Sequence, residues 1–335
     1  MQVDNTPHRH PELWFDDGSI VIQAENTQFR VHRSILAARS PVFKDMLSFP
    51  QPLDAELVEG CPLVHLHDSA AELSVFLRAI FNSEFFMPFP VGTEFDIIVG
   101  VLRLSHKYEV EYLRRRALVH LSSGYATTLS KWDRIVHYIP TADNDRVPAM
   151  DIITWEWPRD PSYLAVLIPL VGEVGARWML PSVFYHLSSR LAAFTPRRET
   201  LQDILNTIDD QIAFLRGHGI QSHSTFAEIL TCLFEKMDDS CPSPLACAQA
   251  RLFGIDAASK ETGPFPCSPL EVWDETTWKA FENYHLCSVC LPSLKAKHKA
   301  AREKFWQELP GHYGLPPWEE LEKLKADEIG TSWIA

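Results

Sequence analysis

Residues 16–47 read DDGSIVIQAENTQFRVHRSILAARSPVFKDML, and the pattern of this stretch decides the fold of the first third of the chain. Apolar and polar residues alternate in SIVIQA and again in QFRVH, on either side of the turn-prone residues ENT. Such alternation predicts half-buried strands, and two runs around a short turn predict an antiparallel hairpin. Ser40 followed by Pro41 predicts the start of a helix, because a hydroxyl cap and a proline at the first helical position both suit that place.

The residues that follow extend this unit to about residue 125. VHLHD at 64–68 predicts a third strand, and SAAE at 69–72 predicts a capping box that opens a helix. Two more helices are expected, one capped by Thr93 and one that ends near Leu121. The predicted order is strand, strand, helix, helix, strand and three helices, which is an α+β arrangement.

The opening stretch resembles the start of a BTB/POZ domain, and LRLSHKYEVEYLRRRALVHL at 102–121 resembles the paired helices that close such a domain. The resemblance covers residues 12–125 and implies a short β-sheet flanked by helices. FNSE at 81–84 departs from the pattern, because many BTB domains have an aromatic-Thr-Gly turn there. The matching positions of the opening stretch are Asp17, Ile20, Phe29, Val31, His32, Ile35, Leu36, Ser40, Pro41 and Phe43.

The resemblance also implies a class of function. BTB domains resemble one another in binding other proteins rather than catalysing reactions. Several families self-associate through them, and others bind cullin scaffolds as adaptors of ubiquitin ligases. No convincing cullin-contact motif is present in this sequence, so a cullin partner is implied by the resemblance alone.

Composition limits the partners further. The 335 residues carry a formal net charge of −13, which argues against binding nucleic acid through its phosphates. The densest basic run, Arg114–Arg116, is interpreted as the solvated face of a helix. The most apolar window, 163–180, is interrupted at Gly172 and Glu173 and is too short to span a membrane.

We expect the protein to lie inside the cell, in the cytoplasm or nucleus. The first 18 residues contain no apolar segment typical of a secretory signal. Seven cysteines is an odd number, and a reducing compartment argues against a disulfide framework.

Residues 126–240 predict a helical region. A buried helix is expected within 163–180, a second from Pro181, and a third within 225–237, while GHG at 217–219 is interpreted as a turn. No nucleophile elbow, phosphate-binding loop, dinucleotide-binding glycine motif or HExxH is found. The sequence therefore predicts a protein that is not an enzyme.

Residues 241–335 predict a small module rich in cysteine and histidine. Five of the seven cysteines lie between residues 241 and 290, and HLCSVCLPSLKAKH at 285–298 contains a CxxC pair. A thioredoxin-like redox pair would need a preceding strand, whereas WKAFENYHL looks helical or irregular. Two interpretations stay open, namely two buried thiols and one structural zinc ion held by the CxxC knuckle.

A zinc ion would need two ligands besides Cys287 and Cys290. His298 falls on the apolar face of the helix that follows, where an unpaired imidazole would cost free energy. Cys247 lies in LACAQARLF, where a helix could turn it inward. The predicted ligand set is therefore Cys247, Cys287, Cys290 and His298. Two weaker candidates, Cys241 and Cys267, lie beside prolines in irregular stretches.

The last residues carry a second resemblance. CSVC…H…R…FWQELPGHYGLPPWEEL and MLPSVFYHLS at 179–188 resemble segments of a large group of BTB proteins from mushroom-forming (basidiomycete) fungi. The matching positions in the tail are Cys287, Cys290, Arg302, Trp306, Leu309, Pro310, Leu315 and Trp318.

The expected function is protein–protein interaction, as an adaptor or scaffold without catalysis. The expected partners are other proteins, reached through self-association or a cullin, with neither nucleic acid nor membrane among them. A substrate adaptor of a cullin-type ubiquitin ligase is the first alternative. A metal-dependent enzyme that uses the cysteine and histidine cluster is the second.

Overall fold

The computed structural model of the chain describes residues 7–49, 56–136, 153–158, 162–190, 205, 207–224, 228–261 and 268–331, with the backbone alone at 190 and 255–261. No helix within these ranges is both long enough and apolar enough to cross a membrane.

Five strands near the N-terminus form one sheet in the order β1-β3-β2-β5-β4. β2 and β3 are the antiparallel hairpin that the alternation predicts, with Ile20 opposite Val31 and Ala24 opposite Thr27. β5 lies parallel to β2 on the other side and overlaps the predicted third strand at residues 64–66. The strands are β1 His8–Trp14, β2 Ile20–Ala24, β3 Thr27–Val31, β4 Leu57–Val58 and β5 Cys61–Leu66.

β1 has no counterpart in the sequence prediction. Its residues, HRHPELW, are mostly polar and include a proline, so they show no alternation of apolar side chains. β1 pairs parallel with β3 of the same chain, its Leu13 is buried in the core, and the ring of its His10 stacks on Phe29 at 5.3 Å. The N-terminal strand is therefore held by its own sheet.

Five helices complete this unit, and the predicted start at Ser40 is confirmed. The Ser40 side chain accepts the Phe43 amide at 3.0 Å and donates to the Tyr108 carbonyl at 2.5 Å, which ties α2 to the end of α4. The helices are α1 Arg33–Arg39, α2 Pro41–Ser48, α3 Ala70–Phe81, α4 Phe95–Lys107 and α5 Glu111–Ser123.

Two predicted helix caps are wrong in detail. Ser69 is the N-cap residue of α3 but makes no side-chain cap hydrogen bond, and Glu25 from the hairpin turn accepts the Ala70 amide. Glu72, the other half of the predicted box, pairs with Arg103 of α4. The N-cap residue of α4 is Glu94, one position after the predicted Thr93.

Nine further helices follow in the described ranges. GHG at 217–219 lies inside the fourth of them, so the predicted turn is wrong. The predicted helix within 225–237 is described as π-helical backbone at 228–229 and a single α-helical turn from Thr231 to Phe234, and residues 225–227 lie outside the described part. The helices are α6 Leu129–Ile135, α7 Tyr163–Glu173, α8 Leu180–Arg190, α9 Ile208–Ser224, α10 Thr231–Phe234, α11 Pro244–Glu261, α12 Glu275–Asn283, α13 Cys290–His312 and α14 Trp318–Ile329.

One hydrophobic core runs from β1 to α14. It joins the sheet and the helices of the N-terminal unit to α7 and α8 and to the later turns of α13. At its edge, Arg114 of α5 pairs with Glu328 of α14 at 2.5 Å, and Arg115 donates to the Ile329 carbonyl at 2.9 Å. Arg116 donates to the Phe86 carbonyl, so all three arginines make intramolecular contacts, and the interpretation as a solvated face holds only for Arg115, which is exposed.

A second, smaller hydrophobic cluster lies between residues 230 and 294. It contains side chains of α10, α11, α12 and the first turns of α13, together with four cysteines that come close to one another. α13 therefore begins in this cluster and ends in the main core. The domain boundaries at residues 125 and 240 stay predictions.

Candidate metal centre

Four cysteine side chains meet inside the smaller cluster. Cys241 lies in the loop before α11, Cys247 in the first turns of α11, Cys287 in the turn after α12, and Cys290 at the start of α13. Their sulfur atoms all lie within 4.8 Å of one another. Two segments 40 residues apart in the chain thus supply two ligand atoms each.

The local backbone conformation positions each of the two pairs of cysteines. In the first half, the Cys241 amide donates to the Asp238 carbonyl at 2.9 Å, and Pro244 begins α11. In the second half, the chain reverses after α12 through His285, whose φ of 66° is left-handed, and the Leu286 amide donates back to Phe281 at 3.0 Å. This reversal brings the CxxC pair against the start of α11.

The sulfur separations match a tetrahedral metal site. Cys241 Sγ lies 3.6 Å from Cys247 Sγ and 3.8 Å from Cys287 Sγ. Zinc–sulfur bonds of about 2.3 Å in tetrahedral geometry place neighbouring sulfurs about 3.8 Å apart. A disulfide would need about 2.05 Å, so these separations belong to free thiols or to ligands of one ion.

Two amide N–H groups point at the sulfurs. The Cys287 amide donates to Cys247 Sγ and the Cys290 amide donates to Cys287 Sγ, each at 3.3 Å. Burial alone would raise the pKa of the Cys287 thiol, but hydrogen bonds from the amides of Cys290 and Val289 and with the thiols of Cys247 and Cys290 together bring that pKa to about 7. Amides that donate to sulfur favour the thiolate, which is the form that binds metal.

The other thiols sit in drier surroundings. Burial raises the pKa values of Cys247 and Cys290, which are almost fully enclosed. Trp278, Phe281 and Leu286 belong to the same apolar cluster. Without a metal ion these buried thiols would stay protonated, whereas a bound divalent ion would stabilise their thiolate forms.

The structure places His298, the fourth predicted ligand, outside this group. His298 is eight residues beyond Cys290 on the same helix, which is about 12 Å along the axis at 1.5 Å per residue. Its ring stacks on Trp273 at 4.2 Å and meets the edge of Trp278. The sequence-based placement of His298 on a buried face is correct, but Cys241 takes the place in the sulfur group that was predicted for it.

His298 is a buried side chain that is packed in its neutral form. Burial, with a smaller contribution from Arg302, lowers the pKa of His298 to about 3. The imidazole is therefore uncharged at neutral pH, and its Nε2 atom has no hydrogen-bond partner within the described part of the chain.

The remaining cysteines lie elsewhere. Cys61 of β5 donates to the Gly18 carbonyl, and Cys232 of α10 donates to the Ile229 carbonyl. Cys267, one of the two weaker candidates, lies outside the described residues.

Two features of the sequence could have favoured Cys241. Pro242 and Pro244 flank the start of a helix, and the irregular residues before a helix can fold back beside its first turn. The distance rule for a helix would also have separated His298 from Cys290, because ligands of one zinc ion lie about 4 Å apart.

The donor set is compatible with zinc. Four sulfur ligands within 4.8 Å of one another suit a soft or borderline divalent ion with no preferred geometry of its own. Cys247 and Cys290 are buried, and Cys287 is the most exposed of the four.

The N-terminal unit matches a known family. A sequence model of the BTB/POZ domain aligns with residues 12–123, which span the sheet from the end of β1 and the helices to α5. Residues 12–123 are a BTB/POZ domain. No curated protein matches the chain. BTB domains generally bind other proteins, so the chain contains an interaction module joined to a helical body.

One face of the BTB domain has apolar side chains open to solvent. Ile35 of α1 and Tyr112 of α5 are each more than a third exposed. Arg39, one turn after Ile35, lies over the Tyr112 ring at 5.5 Å and connects the two helices. At Ile35 and Tyr112, this α1–α5 face is left open by the described part of the chain.

Proposed function

We propose that the protein is an interaction scaffold or adaptor without catalytic activity of its own. The observation that carries the proposal is the continuity of the main core, which joins the BTB domain to α7, α8, α13 and α14. A BTB domain fixed to a helical body by such a core presents two kinds of surface in a constant relative orientation. That arrangement suits a protein that holds two partners near each other.

We further propose that Cys241, Cys247, Cys287 and Cys290 bind one structural zinc ion. Four protein ligands leave no open position for water or substrate, which argues against a metal-dependent enzyme. The ion would connect the start of α11 to the start of α13, and so would close the smaller cluster. The role is mechanical, since a zinc site of this kind contributes folding free energy directly.

The α1–α5 face is the proposed contact for a partner of the BTB domain. Ile35 and Tyr112 supply apolar area, and Arg39 supplies a charged group at its centre. Aromatic residues and arginine are enriched among residues that dominate protein interfaces.

Affinity purification of the full-length chain from its native cells, followed by mass spectrometry, tests the interaction role. Ile35→Glu should lose the partners that wild-type protein retains, because a buried charge in an apolar contact is costly. Leu245→Glu on α11 is the control, since Leu245 is an exposed apolar residue outside the BTB domain.

The partners recovered also discriminate between roles. A cullin lost on Ile35→Glu would identify a ubiquitin-ligase adaptor, and other proteins would identify a scaffold. Partners retained equally by wild type and Ile35→Glu would contradict the proposed contact.

We propose that the chain belongs to the group of BTB proteins from mushroom-forming fungi and acts inside the cell. The residues of the tail resemblance support this because several of them contact one another or the core. Trp306 and Trp318 stack at 4.9 Å, and Arg302 donates to the Leu270 carbonyl. The cysteines of the described part are free, as a reducing compartment would keep them.

A further inference from the structure

α9 has two apolar faces, of which one is exposed. Ile208, Ile212 and Leu215 are 73%, 60% and 65% exposed and follow one another at helical spacing. The opposite face is packed, since Phe214 is buried in the main core and an added Cβ at Gly217 would meet the Tyr313 ring at 2.1 Å. The helix is therefore fixed against the body of the protein and presents an aliphatic stripe to solvent.

A stripe of this kind differs from scattered exposed apolar residues. Single exposed leucines or isoleucines are normal on protein surfaces, whereas a contiguous row on one helix face marks a contact. Gly219 continues the row by one more turn, and a Cβ added there would meet nothing within 4 Å. The absence of a side chain at Gly219 allows a neighbouring helix to approach closely.

Two opposite charges flank the stripe on the same side. Around the helix axis, at about 100° per residue, Ile212 lies about 40° and Leu215 about −20° from Ile208. Asp209 lies about 100° and Arg216 about 80° from Ile208, so both charges are on one side of the stripe. Neither Asp209 nor Arg216 forms an ion pair with another described residue. The two charges are seven residues apart, with the stripe centre between them.

We propose that α9 packs antiparallel against α9 of a second copy of this chain, with a twofold axis near Ile212. Under this symmetry Ile208 lies opposite Leu215 of the second copy, and Ile212 meets its own equivalent at the axis. Asp209 lies opposite Arg216 of the second copy, within about one residue rise of 1.5 Å, and the symmetry repeats the pair.

The charge pattern selects this arrangement over a parallel one. In an antiparallel pair, the same flank of each helix faces its equivalent, so Asp209 meets an arginine. In a parallel pair, the flank with Asp209 and Arg216 would face the flank with Gln211 and His218, and no ion pairs would form. The stripe is thus complementary to itself in both shape and charge. The contact is independent of the zinc site and of any partner of the BTB domain.

Sedimentation velocity of the full-length protein over a concentration series tests the proposal. Wild-type protein should associate reversibly, and Ile212→Glu should raise the dissociation constant at least tenfold because it places two carboxylates at the axis. Leu245→Glu, which adds the same charge at an exposed leucine of α11, should leave association unchanged. Thermal melting of each variant confirms that it is folded, since both positions are exposed.

Charge reversal separates this contact from association through the BTB domain. Asp209→Arg and Arg216→Asp should each weaken association, and the double variant should restore it, because only the α9 contact joins these two positions. A dissociation constant that Ile212→Glu leaves unchanged would overturn the proposal. Failure of the double variant to recover would overturn the antiparallel arrangement.

Discussion

Lys325 of α14 offers a sharp test of how the last helix joins the core. Its side chain is 1% exposed, and its ammonium donates to Thr127 Oγ1 at 3.3 Å. Burial, followed by the nearby charge of Lys131, lowers the pKa of Lys325 from 10.5 to about 8. We predict that Lys325→Met stabilises the protein at pH 7.

The magnitude follows from the pKa difference. A lowering of about 2.5 units corresponds to about 3 kcal/mol of destabilisation when the lysine is charged in both states, at about 1.4 kcal/mol per unit. Loss of the hydrogen bond to Thr127 offsets about 1 kcal/mol of the gain. The net expectation is an increase of about 2 kcal/mol in the free energy of unfolding at pH 7.

The pH dependence has a definite sign. Between pH 8 and 10.5 the unfolded chain holds the Lys325 proton and the folded chain does not, so wild-type stability rises with pH in this window. The advantage of Lys325→Met should therefore be largest below pH 8 and should shrink by pH 9.5.

Urea unfolding of wild type, Lys325→Met and the exposed control Lys323→Met at pH 7 and pH 9.5 measures these differences. A variant less stable than wild type at pH 7, or an advantage that is equal at both pH values, would refute the reasoning.

Three further predictions address the smaller cluster and its connection to the core. Chelation of the metal should abolish hydrogen-exchange protection in α11 and α12 but leave α14 protected, because α14 packs in the main core; equal loss everywhere would contradict this. His298→Phe should raise the free energy of unfolding by about 1–3 kcal/mol at pH 7, since it removes a buried unpaired nitrogen. The advantage should grow as pH falls from 6.5, because the folded pKa of His298 is about 3 and only the unfolded chain takes up the proton there; urea titrations at pH 7 and 4.5 check both points. Arg302→Met should cost about 2 kcal/mol in urea unfolding, because it removes the pair with Asp133 and the bonds to Leu270, whereas Lys299→Met on the exposed side of α13 should change little.

The hairpin and the first helices could be predicted because their patterns are local. Alternation in SIVIQA and QFRVH requires only that one face be buried, and the Ser40–Pro41 pair acts through its own neighbouring amides. β1 could not be predicted, because its pairing with β3 is supplied by a strand already in place rather than by its own side chains.

Long-range contacts also explain two features that were predicted incorrectly from local sequence patterns. Ser69 had the right neighbours for a capping box, yet its side chain makes no cap bond, and Glu72 pairs with Arg103 from elsewhere in the chain. The glycines of GHG weaken a helix in isolation, but Gly217 is required where α9 passes close to Tyr313. Propensity is a weak guide where tertiary packing decides.

The candidate site was partly accessible from the sequence. The CxxC spacing and the inward position of Cys247 follow from local geometry, and both residues of the CxxC pair lie in the sulfur group. Cys241 depends on how an irregular loop folds back, which no periodicity encodes. His298 has the burial of a ligand but stands two turns too far along α13, where an aromatic pair encloses it.

The zinc site is the central claim, and metal analysis of purified protein tests it most directly. Wild-type protein should contain about one zinc ion per chain, and Cys241→Ser should lose most of it, because a site with three thiolates binds zinc far more weakly. Cys61→Ser, a control that keeps a donor to the Gly18 carbonyl, and His298→Ala should both retain the metal. Wild-type protein with far less than one zinc per chain would contradict the account, as would zinc that depends on His298 and not on Cys241.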